Sequence, residues 1–143
     1  MYGLGLGYAY DALIPWLDEN ESRSIVFLED DLAVRSLFLE SSRAAAILQN
    51  PQVQIRYIED SEEGKLVIQA LVWGVYPKKI MIVALPAYQN QRQQTFEDIK
   101  KRLFYETAEL HAVLDEYANF GVPFFRNFWK NILIISESYR GSA

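Results

Sequence analysis

Short apolar runs alternate with longer stretches of helical periodicity through the first part of the chain, a pattern that predicts parallel βαβ units. Tyr8 to Leu17 reads as a first helix with Leu13, Trp16 and Leu17 on one side. Pro15, near its middle, should kink it or mark a late start. Ser24 to Leu28 is a continuous apolar run flanked by charge, as expected of a strand buried on both faces. Asp31 can cap the next helix, whose buried stripe is read as Leu32, Leu39, Ile47 and Leu48, with a break or bend at Ser41-Ser42. After Asn50-Pro51, Val53 to Ile58 alternates as a strand with one more polar face. Ser61 to Trp73 reads as helix despite some strand-like content. Lys79 to Ala84 reads as a buried strand, and Leu85-Pro86-Ala87-Tyr88 as the loop leaving its C-terminal end. Four strands with crossover helices make a right-handed, doubly wound core.

The remainder is helical in pattern. Thr95 with Asp98 three residues on resembles a capping box, with Asp in place of the usual Glu or Gln. Phe96, Ile99, Leu103, Leu110, Val113 and Tyr117 recur at helical spacing up to Phe120, a helix of ~25 residues. Gly121 is read as its end and Pro123 as the start of a last, aromatic-rich helix through Phe124, Phe125, Phe128, Trp129, Ile132 and Leu133. Core packing explains those aromatics; an interface is the alternative. The expected fold class is α/β: a Rossmann-like, methyltransferase-like, mostly parallel sheet flanked by helices, with a C-terminal helical extension. Residues 1–143 form a single domain, a βα core over 1–90 and the extension over 91–143.

Composition narrows the possible functions. The 143 residues are half hydrophobic and 14% aromatic, ample for a core. A net charge of −5 and a pI near 4.9 lack the basic footprint of a nucleic-acid binder. There is no cysteine, which rules out disulfides and thiolate metal sites and suits a cytoplasmic protein. No run reaches the roughly 18 apolar residues of a membrane span, and no secretion signal is read at the N-terminus. No repeat or low-complexity tract is present.

Gly3, Gly5 and Gly7 form G-x-G-x-G ahead of a helix. Such a turn lets a ligand approach the backbone, and the helix N-terminus favours negative charge. The turn begins so early that either the first strand is a stub or Met1 is an artificial start within a longer protein. Glu29 ends the second strand 22 positions beyond Gly7, near the spacing at which an acid binds ribose hydroxyls. Asp30 is the alternate acceptor. The spacing G-x-G-x-G points to an S-adenosylmethionine pattern more than to NAD. A fold relic, with glycines serving only helix–strand packing, is the competing reading. Asp60, with Glu59, ends the third strand where methyltransferases place an adenine-contacting acid; an ordinary solvated turn is the alternative.

Pro86 and Tyr88 follow strand 4, where amino-group methyltransferases carry Asn/Asp-Pro-Pro-aromatic. Leu85 and Ala87 replace the polar residue and the second proline, so the side chain that would accept a substrate N–H is missing, while Tyr88 can still stack on a ligand. His111 is the sole histidine, mid-helix, and reads as structural. Nothing pairs a nucleophile with a base, and no metal cluster is expected from adjacent Glu29, Asp30 and Asp31, whose side chains diverge along an extended segment. Arg35, Arg43 and Arg56 are scattered and read as solvated.

Gly3-Leu4-Gly5-Leu6-Gly7-Tyr8, the Phe27-Leu28-Glu29-Asp30 strand end, Pro86-Ala87-Tyr88 and Asn127-Phe128-Trp129-Lys130-Asn131-Ile132 together resemble the N-terminal domain of the motility-associated factor (Maf) proteins. That flagellin glycosyltransferase family is defined by a central DUF115 domain. The resemblance implies a cytoplasmic protein whose central domain, following this chain, uses a nucleotide-activated nonulosonic acid. The glycosyl-transfer residues belong to that domain, and none maps onto this chain. The same family name also covers pterin diphosphokinases. The expectation is a nucleotide-type binding module, non-catalytic alone, with Gly3, Gly5, Gly7 and Glu29 forming the site and Asp60 and Tyr88 on its rim. Its ligand is S-adenosylmethionine or a nucleotide, and its partner the DUF115-like domain or a second copy through the C-terminal helices. A small methyltransferase and a pure interaction domain are the alternatives.

Overall fold

Ile25–Glu29 (β1) and Val53–Tyr57 (β2) pair in parallel, Phe27 opposite Ile55. They form the two-stranded sheet of a mixed α/β, mostly helical protein with a long C-terminal helix. The computed structural model describes residues 1–59, 62–75 and 79–140. Two compact units are distinguished, Met1–Phe104 and Tyr105–Ala143.

In the first unit the parallel layer continues beyond the sheet. Tyr2 bridges Leu28 on one side and Ala84 on the other, both in parallel. Backbone bonds run from Leu28 N–H to Met1 O, Gly3 N–H to Leu28 O, Tyr2 N–H to Val83 O and Leu85 N–H to Tyr2 O. The order across the layer is therefore β2, β1, residues 1–3, residues 83–85. Ile25 and Phe27 face one core with Leu4, Leu17, Phe38 and Ile47; Leu28 and Val26 face another with Tyr2, Ile68, Phe96 and Ile99. This explains why β1 is apolar at every position but its last: both faces are covered. β2 buries only one face in part, leaving Gln54 and Arg56 exposed.

Helices Tyr8–Asp18 (α1), Leu32–Glu40 (α2), Ala44–Gln49 (α3) and Glu62–Val75 (α4) follow the expected order, with Pro15 inside α1. The carboxylate of Asp31 accepts the Ala33 and Val34 N–H groups as the cap of α2. The stripe expected on this segment is corrected: Phe38 and Ile47 are buried, whereas Leu32, Leu39 and Leu48 are more than half exposed. Ser41 leaves the helical region, so α2 and α3 are not in phase as one continuous helix would be.

Lys79–Ala84 is also corrected. It joins the layer through a single bridge at Ala84, and Ile80, Met81 and Val83 are exposed. Among the described residues, Ile80 and Met81 have no ladder partner.

Pro86–Gln91 (α5) and Gln93–Glu116 (α6) are separated only by Arg92. Thr95 thus lies inside the first turn of α6 and is not its cap. Asp98 instead accepts from the Gln94 side chain. In the second unit, Gly121 does not end the helix: Tyr117–Gly121 is a π-helical segment running directly into Val122–Arg140 (α7). Gly121 lacks the positive φ of a left-handed cap, and a Cβ there would lie 2.9 Å from the Tyr117 ring. Phe124, Phe125, Phe128 and Trp129 are exposed rather than packed in a core.

Candidate functional site

The chain reverses from residues 1–3 into α1 through three glycines, all in the left-handed region: Gly3 at φ 91°, Gly5 at 53° and Gly7 at 82°. Only glycine adopts such angles without cost. Each also faces a neighbour of its own chain. A Cβ on Gly3 would lie 2.6 Å from the Tyr88 ring, one on Gly5 3.3 Å from Leu85, and one on Gly7 2.7 Å from Ile47. The close approach that the glycines permit is made by the protein itself, above all by Tyr88.

Glu29, at the C-terminal end of β1, is wholly buried. Its Oε2 accepts the Leu4 N–H at 2.9 Å, and its Oε1 accepts the N–H groups of Asp30 at 3.1 Å and Asp31 at 3.0 Å. The Tyr88 hydroxyl donates to the same carboxylate, 2.7 and 2.8 Å from its two oxygens. A carboxylate has roughly four lone-pair sites, and four donors converge here. Burial first, then the hydrogen bond to Glu29, pushes the Tyr88 phenol well above its ordinary value, so it stays a neutral donor.

A second layer encloses this pair. Asp30 accepts from the Tyr2 hydroxyl at 2.7 Å and from Arg92 at 2.5 Å, and Arg92 also reaches Asp31 at 2.8 Å. The Arg92 guanidinium stands 5.4 Å from the centre of the Tyr88 ring, which meets the Tyr2 ring edge-on at 5.1 Å. The Val34 and Ala33 N–H groups, then Arg92, hold the Asp31 carboxyl below its usual range. Burial and the bond to Asp30 raise the Tyr2 phenol.

Of the expected site residues, Gly3, Glu29, Asp30 and Tyr88 meet at one corner, with Gly5 and Gly7 in the adjoining turn. Asp60 lies outside the described residues, and its neighbour Glu59 is exposed. Tyr2 and Arg92 belong to the same cluster without having been singled out by any motif. The available signal was the spacing of Tyr88 and Arg92, four apart, from a short helix started by Pro86 to the residue that caps its end, which puts an aromatic and a cation on one side. Arg43 is not merely solvated: it pairs with Asp11 at 2.8 Å and lies over the Tyr8 ring. His111 is exposed. Among the described residues no group of three or more His, Asp and Glu could hold a metal ion, and no helix is long and apolar enough to cross a membrane.

The residues at this corner do not fit a nucleoside as they are arranged. A ribose donating to Glu29 would need the place of the Tyr88 hydroxyl, and a base or phosphate over Gly3 would need the place of its ring. Compared with known proteins, the chain matches no family model, no curated protein and no solved structure.

Proposed function

We propose that the chain is a Rossmann-like, methyltransferase-like module, non-catalytic by itself, whose nucleotide corner is held shut by its own Tyr88. The observation that carries this reading is the filled acceptor shell of Glu29: the acid at the ribose position already takes four donors from its own chain. The Rossmann-like part is supported by the parallel order β2, β1, residues 1–3, residues 83–85, and by core on both faces of the layer. The Maf resemblance, carried by the glycine turn, the Phe27 to Asp30 strand end, Pro86-Ala87-Tyr88 and the Asn127 to Ile132 segment, makes it the N-terminal module of a glycosyltransferase-like, cytoplasmic protein. Its natural neighbour is then a DUF115-like domain.

Calorimetric titration with S-adenosylhomocysteine, CMP, UDP and NAD tests this directly. None of the four is expected to give a binding isotherm at micromolar concentration. Micromolar binding of S-adenosylhomocysteine, lost in Glu29→Gln, would restore the methyltransferase alternative. A second reading, an interaction module, is favoured by one feature: Phe124, Phe125 and Trp129 lie exposed within six positions of α7.

A further inference from the structure

A cavity of about 320 Å³ lies along β2. Residues 55–57 form its floor. Leu39 of α2 and Leu48 of α3 wall it on one face of the layer, and Val67 of α4 walls it on the other. A space that touches both faces and β2, with no β1 residue in its lining, stands beyond the outer edge of the sheet.

The ladder fixes which backbone groups face this space. Ile25 N–H donates to Gln52 O at 2.8 Å and Ile58 N–H to Glu29 O at 2.9 Å, so the even-numbered residues of the segment turn toward β1. Neighbouring residues of a strand present their N–H and C=O groups to opposite sides, so Ile55 and Tyr57 turn theirs outward. Among the described residues nothing bonds to these groups. They are the template for one more strand.

Charge decides which strand. The lining carries two arginines and no acid, in a chain of net charge −5. Arg35, on the α2 side, has no acid in contact among the described residues, and Arg56 bonds only to the Gln54 side chain, at 3.1 Å. Ile55 packs toward the α2 side, so Arg56, next along the strand, turns to the other. A charged edge keeps like-charged strands away. A second copy pairing here would bring both arginines of each chain together, whereas a strand bearing carboxylates would find a partner on each face. Leu39 and Leu48, more than half exposed, offer that strand's apolar side chains a surface to cover.

We propose that the outer edge of β2 docks an extended acidic peptide segment of another protein, which joins the layer as a further strand. Its backbone bonds to Ile55 and Tyr57, and its carboxylates stand against Arg35 and Arg56. This edge lies across β1 from residues 1–3 and takes nothing from the closed corner at Glu29.

The probe is the peptide Glu-Glu-Val-Ile-Val-Glu-Glu, blocked at both ends, which gives each face an acid whichever way it runs. Titrated into the whole chain at low salt, it should bind at least about tenfold more tightly than Lys-Lys-Val-Ile-Val-Lys-Lys. Saturation should slow amide hydrogen exchange at Ile55 and Tyr57 by about tenfold or more. Arg35→Glu with Arg56→Glu, both on exposed side chains, should keep the thermal midpoint and reverse the order of the two peptides. Absence of binding would overturn the proposal, as would equal affinity for the two peptides, or binding that leaves exchange at both amides unchanged. Exchange there that slows with protein concentration alone would give the edge to a second copy instead.

Discussion

Glu29 is a carboxylate with no exposed surface, and its fixed position depends on a ring lying against a glycine. Gly3→Ala would add a methyl 2.6 Å from that ring at a φ of 91°, where a left-handed backbone alone costs about 1–2 kcal/mol. Displacing the ring adds about 1–3 kcal/mol of overpacking, so urea unfolding should show Gly3→Ala among the most destabilising small substitutions in the chain. Met1 provides a pH effect. Burial lowers its α-ammonium from 8.0 to about 6, in a cavity whose other charged lining groups are Arg23 and Lys79. Between these values the unfolded chain binds more protons than the folded one, so stability rises with pH from about 6 to 8. The destabilisation is full below pH 6 and gone above pH 8, and amounts to at most about 3 kcal/mol. Urea midpoints at pH 5.5 and 8.5 should differ accordingly, and N-terminal acetylation should abolish that part of the difference.

Elements were legible where pattern and burial agree. The run Ser24 to Leu28 announces β1 because a strand covered on both faces has no polar side to break it, and Asp31 caps α2 through contacts within three residues. Residues 79–84 have the same apolar character but, among the described residues, form a bridge only at Ala84, which nothing in the local pattern signals. The stripe on α2 failed for a similar reason: once Ser41 breaks the helix, the phase of Ile47 says nothing about Leu39. Phe38→Ala should therefore cost about 3–5 kcal/mol, and Leu39→Ala should stay within about 0.5 kcal/mol, as read by equilibrium unfolding. The glycine turn was legible as a backbone conformation, since all three residues need positive φ. What occupies it was not, because Tyr88 arrives from 85 positions downstream of Gly3 and its hydroxyl bond to Glu29 has no local signature.

The whole molecule has a modest net charge of −5 and a row of exposed aromatics on α7. Repulsion of that size is weak at physiological salt, where screening acts over about 8 Å, so apolar contact is expected to decide association. Sedimentation equilibrium should show a mass that rises with protein concentration. Phe125→Glu with Trp129→Glu should return it to the 16.6 kDa of one chain, and an unchanged mass profile in that double variant would assign any association to another surface. Both changes lie on side chains that are already exposed, so folding of the remainder should be unaffected.

The ring of Tyr88 is also a cork of known shape. Pulled out by truncation to glycine, it would leave a phenol-sized hole roofed by Tyr2, with a carboxylate on its floor still pinned by the three N–H groups of Leu4, Asp30 and Asp31. Apolar holes in proteins accept small aromatic guests, here with a carboxylate left to receive a phenol hydroxyl, and a guest that binds only the folded chain stabilises it by an amount that grows with the logarithm of its concentration. The same contact that shuts the corner to nucleosides thus makes it a natural socket for a synthetic one, in which added phenol would tune the stability of the fold from outside.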